Sequence, residues 1–426
     1  MKGYTVGMVA KLVATSKSII RIYLTLTLFN TLAASMIWGI NTLFLLNAGL
    51  SLTEAFLANA FFTVGMVIFQ IPTGILADAR GRRLSFLLGA STLSLATLIY
   101  YVMWLIHAPF IGWAVTSIGL GLGFTFFSGA TDAWLVDSLH ATGFKGQLDM
   151  VFSKAQIIGG AAMLVGATLG GVIAQFSNLG VPYILRAILL LVTFVIAAIY
   201  MKDLGFTPMK GKKYGHEVKR ILSGSVKYGF KNSAVKWVML AGIFSGGVGI
   251  YAFYALQPYL LKLYGDSTAY WIAGLTASIV AGAQIIGGFA VPFVRRVFKS
   301  RTGILLFGAT ISSVILLLVG ILPSFYVVIA LIVLWALIFA CVTPVRQAYL
   351  NGLIPSQQRA TVLSFDALLG SSGGVVSQPV LGRVADVWGY GASYIVSSVI
   401  QMGAVPFLFL AHRITIVSEK KNVTAP

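Results

Sequence analysis

The sequence is poor in charged residues and in side chains that bind metals. Charged residues make up 10% of its 426 residues, and it contains one cysteine and four histidines. Soluble globular proteins carry about 25% charged residues, so this chain has too few charges to cover a water-facing surface of its size. The single Cys341 excludes an intrachain disulfide and a cysteine-rich metal site. The composition therefore argues against a soluble enzyme, and we expect neither a metal nor a cofactor.

Apolar sequence is abundant: 58% of the residues are hydrophobic, and the mean hydropathy is +0.92. A membrane-spanning helix needs roughly 20 apolar residues, so the chain holds enough apolar residues for about twelve such helices. The segments lie at 18–46, 54–76, 84–106, 110–136, 148–176, 181–201, 237–261, 269–293, 303–322, 325–350, 361–381 and 391–411. We predict an all-α membrane protein with twelve transmembrane helices.

The basic residues are distributed unevenly between the two sides of these predicted spans. Of the 30 lysines and arginines, 26 fall on the side that holds both chain termini. Lysine and arginine are enriched in cytoplasmic loops, so we predict cytoplasmic termini in a multi-pass protein of the cell (inner) membrane. The net charge of +19 is then a topology signal, with anionic lipid headgroups as the counter-charge. We expect no nucleic-acid partner.

The longest connection, 202–236, divides the chain into two sets of six spans, at 1–201 and 237–426. Residues 218–230 of this connection are basic and partly amphipathic. This pattern is typical of a helix on the membrane surface, and a solvated linker is an equally good interpretation.

The two halves resemble each other weakly. Residues 131–135 (TDAWL) match 346–350 (RQAYL) at an offset of 215, and Gly159 and Gly160 match Gly373 and Gly374. A repeat of half the chain is common among secondary transporters, which bind substrate at the repeat interface. We therefore predict two pseudo-symmetric six-helix bundles.

The sharpest local motif comes after the second span, where residues 74–83 read GILADARGRR in a short connection. With twelve spans and a half-chain repeat, this motif resembles the signature of the major facilitator superfamily, in particular its bacterial drug/proton antiporter-type members. The resemblance covers essentially the whole chain. It implies that Asp78 caps a helix of the second half and that Arg82 pairs with Asp137. These contacts would hold an outward-open state, and the predicted switch residues are Gly74, Asp78, Gly81, Arg82, Arg83 and Asp137.

Ionisable groups inside spans are costly and are functional candidates by default. Asp132, on one helical face with Thr125 and Ser128, is the first candidate for a proton carrier, and a structural salt bridge is the alternative. Asp366 is the second, with stabilisation of a helix N-terminus as its alternative. For Arg346 we consider pairing with Asp132, binding an anionic group, or extending to the membrane interface.

Polar and aromatic side chains form stripes on three further spans. The resemblance implies that spans one, four, seven and ten line a central cavity. The predicted cavity residues are Asn30, Trp38 and Asn41 on span one, Tyr251, Tyr254 and Gln257 on span seven, and Trp335 and Arg346 on span ten, beside Phe339. An aromatic, weakly polar cavity suits an amphipathic organic solute, although aromatic residues also belong in membrane interfaces.

Span five contains the glycine-rich run 166–171 (GATLGG). This run looks like a degraded form of the superfamily's antiporter motif, with Ala167 in the position of its proline. Glycines that serve helix packing are an equally good interpretation.

These patterns together predict a secondary active transporter, not an enzyme, that exports small amphipathic organic compounds such as drugs in exchange for protons. The alternative is a proton-coupled importer or lipid-type translocator of the same fold. A non-transporting receptor is a third interpretation, although it would have no use for the switch motif. The expected partners are a small-molecule substrate, protons and membrane lipids, and we expect a monomer.

Overall fold

The computed structural model describes residues 15–207, 233–298, 300–354 and 359–423, and regular secondary structure in these ranges is helical. The helices are α1 (Ser16–Ser35), α2 (Asn41–Asn47), α3 (Leu52–Arg80), α4 (Arg82–Leu105), α5 (Phe110–Phe127), α6 (Ala130–Ala141), α7 (Leu148–Phe176), α8 (Val181–Tyr200), α9 (Ser233–Tyr264), α10 (Tyr270–Val297), α11 (Arg301–Ile321), α12 (Phe325–Leu353), α13 (Arg359–Met402) and α14 (Ala404–Val423).

The fourteen described helices correspond to twelve spans, because two spans are each broken into two helices and one helix contains parts of two spans. The first span consists of α1 and α2, and the fourth consists of α5 and α6, which separate at Gly129 with φ +71°. Conversely, α13 passes through Gly389, whose φ of +84° is not helical, and so contains span eleven and the start of span twelve. Eleven segments are long and apolar enough to cross a membrane, and the last of them, Phe365–Val417, includes this kink. The predicted twelve-span fold is confirmed.

Several helices extend beyond the apolar segments that predicted them. The second span, predicted at 54–76, is the 29-residue α3. Ser51 and Glu54 form a capping box at its start, and Gly81 with φ +112° ends it. Hydropathy marks only the part in hydrocarbon, whereas capping groups mark where backbone hydrogen bonding stops.

The two halves pack their helices in the same pattern. In the first half, α1 contacts α7, α3 contacts α5, and α4 contacts α8. In the second half the equivalent pairs are α9 with α13, α10 with α12, and α11 with the last part of α13. The predicted pair of pseudo-symmetric bundles is confirmed. The proposed amphipathic segment 218–230 lies outside the described residues, and the exact bundle boundaries stay a prediction.

The halves are joined near one end of the molecule. We call the end with the turn at Gly81 the motif end and the end with the turn at 48–51 the far end. Every hydrogen bond between described residues of the two halves lies between the middle of the spans and the far end. The structure is therefore closed at the far end.

Small residues permit this closure. A Cβ on Gly171 of α7 would lie 2.7 Å from the Cα of Gly274 of α10, and a Cβ on Gly39 would lie 2.8 Å from the same atom. Three backbones therefore meet at Gly274. Deeper along the same pair of helices, the hydroxyls of Thr168 and Ser278 are 2.7 Å apart. The glycine run predicted either as an antiporter motif or as a packing element serves packing here.

Candidate functional site

A cavity of about 300 Å³ lies inside the second bundle. Its wall is mostly apolar, with a few polar groups and one pair of opposite charges. The lining residues come from α9, α11, α12, α13 and α14 and are Val238, Ala241, Gly242, Ser245, Gly246, Leu305, Gly308, Ala309, Ser312, Phe339, Val342, Thr343, Arg346, Gln347, Asp366, Ala367, Gly370, Gln401 and Leu408. An apolar cavity with a few convergent polar groups is the usual form of a small-molecule site.

Arg346 of α12 and Asp366 of α13 form a bidentate ion pair on the cavity wall. The Nη1–Oδ2 distance is 2.7 Å and the Nη2–Oδ1 distance is 2.5 Å. The Asp366 side chain is 10% exposed and that of Arg346 is 28% exposed. Such a fork is among the stronger pairings of protein charges. Gly242 makes room for it, because a Cβ there would lie 3.0 Å from Nη2 of Arg346.

Asp132 lies in the other bundle and has a different partner. It occupies the first turn of α6, directly after the Gly129 break. The hydroxyl of Tyr23 on α1 donates a hydrogen bond of 2.8 Å to its Oδ1, and the Tyr23 ring packs edge-on against Phe152. The expected alternative of an Asp132–Arg346 pair is wrong for this structure, since Arg346 is bound to Asp366.

The polar stripe predicted on span four is interrupted. Thr125 lies on α5 and donates to the carbonyl of Leu122, whereas Ser128 accepts from the side chain of Gln70. The chain is non-helical at 128–129, so Thr125, Ser128 and Asp132 do not share one helical face. An angle counted from ideal helix geometry cannot foresee such a break.

The switch motif makes its described contacts within the first half. Arg82 pairs with Asp78 at 2.5 Å, and its Nε lies 4.0 Å from Oδ2 of Asp137. The three residues thus lie together, as the resemblance implied, although no described contact joins Asp78 to the second half. The structure shows that Asp78, Arg82 and Asp137 are close together, and their role in switching stays a prediction.

The turn of the motif rests on Asp203, which the sequence patterns did not reveal. Asp203 Oδ1 accepts a 2.9 Å hydrogen bond from the backbone amide of Arg83 and so caps α4. A side chain at Gly81 would collide with this carboxylate. The Arg83 guanidinium donates a 2.7 Å hydrogen bond to the Ala198 carbonyl. Burial raises the pKa of Asp203, while hydrogen bonds from the backbone amides of Arg83 and Arg82 oppose the rise.

Gly74 has no close neighbour in this structure, because nothing lies within 4 Å of where its Cβ would be. No other described helix therefore packs closely against Gly74 here, and its predicted part in the switch stays a prediction. The two halves contact each other at the far end, whereas Gly74 lies towards the motif end.

Of the eight residues predicted for a substrate cavity, all of them described, only Arg346 lines the cavity in the second bundle. Asn41 and Tyr251 are buried within their own bundles, where they bond Tyr183 and Ser393. Gln257 bonds the backbones of Trp38 and Thr42 across the closed far end. The other positions are Trp335, stacked on Phe339, Tyr254, whose carbonyl accepts from Thr42, and Asn30, which is partly exposed. These residues do not converge on one site.

Asp386 is a second residue that the sequence patterns did not reveal. It lies near the far-end terminus of span eleven and accepts hydrogen bonds from the backbone amides of Leu52 at 3.0 Å and Thr53 at 2.8 Å. A carboxylate at the start of a helix meets the positive end of the helix dipole. The contact ties the start of α3 to the second half.

Two six-helix bundles that meet at one end, with ionisable pairs held inside membrane-spanning helices, define a polytopic membrane transport protein. The profile of the major facilitator superfamily matches residues 23–377. The chain belongs to that superfamily.

Individual relatives are distant in sequence. The chain is 21% identical over 374 residues to YxaM of Bacillus subtilis (strain 168), described as an uncharacterized MFS-type transporter, covering 86% of this chain and 88% of that one. The nucleoside transporter NupG superposes with a TM-score of 0.74 at 9% identity, over 93% and 99% of the two chains. A bacterial homologue of the human lysosomal transporter Spinster, in an inward-facing and unoccupied conformation, gives 0.71 at 14% identity, over 93% and 97%. These structural likenesses extend to the fold alone.

Proposed function

We propose that this chain is a proton-coupled secondary transporter that exports small amphipathic organic compounds across the cell membrane. The observation that carries the proposal is the Arg346–Asp366 pair, which lies inside membrane-spanning helices on the wall of a cavity. Charges inside a membrane are costly and mark substrate pathways or proton relays. The motif end faces the cytoplasm in this proposal, as the 26 basic residues on that side favour. The chain acts as a monomer.

Asp132 is the better of the two proton carriers. Both carboxylate oxygens of Asp366 are engaged in the bidentate contact with Arg346. Asp132 has a neutral hydroxyl as its described partner. Protonation of Asp132 therefore breaks no ion pair, whereas protonation of Asp366 leaves Arg346 unpaired.

Alternating access proceeds by movement of the two bundles against each other. In the present state the far end is closed by contacts between α3 and α13 and between α7 and α10. In the opposite state, Asp78 caps the start of α13 and Gly74 receives the approaching helix. The free space at Gly74 supports this movement.

The experiment is transport by the full chain in proteoliposomes with an imposed pH gradient, scanned over a panel of amphipathic compounds. Wild type should concentrate at least one compound against its gradient. Asp132→Asn should abolish that accumulation and leave exchange down the substrate gradient, because the side-chain volume is kept. Asp266→Asn, in an exposed far-end turn, is the matched control and should behave as wild type.

Each of the other possible outcomes would assign a different function or mechanism to this protein. Accumulation in the opposite direction would make this an importer of the same fold. Saturable binding without flux would indicate a receptor. If Asp132→Asn accumulates substrate as well as wild type, Asp132 has a structural role. The proton would then be carried by Asp366, or an ion other than the proton would drive transport.

A further inference from the structure

Arg186 is a cation inside the first bundle that neither the switch nor the proton pathway uses. It lies on α8, in the second turn from the far end. Its Nε is buried and has no hydrogen-bond partner. No described residue forms an ion pair or a hydrogen bond with it.

The electrostatic neighbours of Arg186 are three tyrosines, Tyr183, Tyr254 and Tyr100. Two of their hydroxyls are already engaged: Tyr183 donates to Oδ1 of Asn41 at 2.9 Å, and Tyr100 shares a short hydrogen bond with Ser117. The hydroxyl of Tyr254 has no hydrogen-bond partner among the described residues. Tyr254 belongs to α9, in the opposite half of the molecule.

The acidic side chains that the structure describes have partners elsewhere. Asp78 and Asp137 lie at Arg82, Asp132 at Tyr23, Asp203 at Arg83, Asp366 at Arg346, Asp386 at Thr53, Asp266 at Thr268 and Glu54 at Ser51. None of them is an electrostatic neighbour of Arg186. The described part of the protein therefore supplies no anion to this guanidinium.

An arginine does not lose its proton inside a protein, and an unpaired buried charge is destabilising. A guanidinium with no acidic side chain of the described protein beside it is suited to a planar anion, which it binds through two parallel hydrogen bonds. The residue is partly exposed, so such an anion can reach it.

We propose that Arg186 binds the carboxylate of a transported organic anion at the junction of the two halves, and that the Tyr254 hydroxyl donates a further hydrogen bond to it. The apolar body of the ligand lies against the aromatic side chains beside Tyr254. These are Phe253, 5.2 Å from the Tyr254 ring, and Trp38, 6.2 Å from the Phe253 ring. The assignment rests on the proposed transport function for its biological role and narrows the substrate class to amphipathic monocarboxylates.

Binding to the purified full chain, without any gradient, tests the assignment. The probes are benzoate, 4-phenylbutyrate and naphthalene-1-acetate, each compared with its primary amide, which keeps the shape and removes the charge. At least one acid should bind about 10-fold more tightly than its amide, a difference of about 1.4 kcal/mol. Arg186→Gln should remove that difference, Arg186→Lys should keep part of it, and Tyr254→Phe should reduce it. Arg383→Gln alters an exposed arginine of α13 and should bind as wild type.

The ligand-free proteins give a second readout. Arg186→Gln removes an unpaired charge, so its unfolding temperature should be equal to or above that of wild type. Equal behaviour of acid and amide in all three pairs, including no binding of either, overturns the proposal. So does a preference for the acid that survives in Arg186→Gln. Because no gradient is applied, binding of the acids without pH-driven transport would refute the proposed function and leave the anion site standing.

Discussion

Asp386 and Thr53 connect the two halves of the protein at the far end, where the Asp386 carboxylate accepts a 2.8 Å hydrogen bond from the Thr53 backbone amide. The two helices involved, α3 and α13, run in opposite directions. Asp78, near the other end of α3, is therefore placed towards the start of α13. Asp78 lies near the end of α3, and Asp386 lies in α13 just before the kink at Gly389, near the end of span eleven, so each can cap the start of the other helix.

Asp386→Ala should shift the protein towards opening at the far end. Loss of an N-terminal capping group costs about 0.5–2 kcal/mol, enough to change a two-state ratio by roughly 2- to 30-fold. Spectroscopic distances between labels at Ser177 and Ser267, with Cys341 replaced by serine, should gain a longer population. Glu54→Ala is the control, since Glu54 caps the same helix from within the first half. An unchanged distance distribution would remove Asp386 from the closing mechanism.

Asp78→Asn should have the opposite effect and favour opening at the motif end. The substitution removes the charge that would cap α13 and the ion pair with Arg82. Labels at Lys145 and Arg296, both exposed, should report a larger fraction of long distances together with slower turnover. Arg80→Ala changes an exposed charge of the same turn and should leave both quantities as in wild type. If Arg80→Ala gave the same change, the effect would come from the altered charge of the loop and not from the capping role of Asp78.

Gly274→Leu should prevent closure of the far end. A Cβ at this position would lie 2.8 Å from both the Ala167 carbonyl oxygen and the Gly171 Cα, so backbones would have to separate. We expect membrane insertion with long far-end label distances and transport reduced by at least about 10-fold, the effect of roughly 1.4 kcal/mol. Gly249→Ala, where a Cβ meets nothing within 4 Å, should transport normally. Normal closure in Gly274→Leu would contradict the backbone contact.

Asp203→Asn should change how stability depends on pH. Burial raises the pKa of Asp203 above 3.8 in the folded protein, so the folded state holds this proton more tightly than the unfolded state does. Wild type should then lose stability as the pH rises from about 3.8 through the raised value, and the neutral variant should not lose this contribution. Asparagine is as good an N-terminal cap as aspartate. Thermal unfolding from about pH 3.5 to 6.5 should show a difference that grows in favour of the variant, and a constant difference would exclude this linkage.

The span count and the half-chain repeat could be predicted because both depend on long apolar runs and their spacing. The partners of the charged residues could not. Asp386 and Thr53 are 333 residues apart, and Asp203 and Arg83 are 120 apart, so no local pattern relates them. Asp386 is nevertheless an acidic residue near the end of a predicted span, and this position is a sequence signal for a residue that caps a neighbouring helix.

The side-chain faces were the least predictable part. The position of Gln257 on span seven predicts a cavity residue, yet Gln257 bonds Trp38 and Thr42 of the other half. A stripe on an ideal helix gives the direction of a side chain within its own helix only. A break such as that at Gly129 rotates the next helix relative to the one before it. The way in which the two halves pack together then decides whether a side chain that faces inward contacts a ligand or a residue of the other half.

The contact of Gly39, Gly171 and Gly274 also has an electrical consequence. A Cβ on either of the first two would lie within 2.8 Å of the Cα of Gly274, while a water molecule needs a probe radius of about 1.4 Å on all sides. No file of water molecules fits between these three backbones. At this point the barrier to water and ions between the two halves is packed main chain, with no side chain that could move aside to open a path.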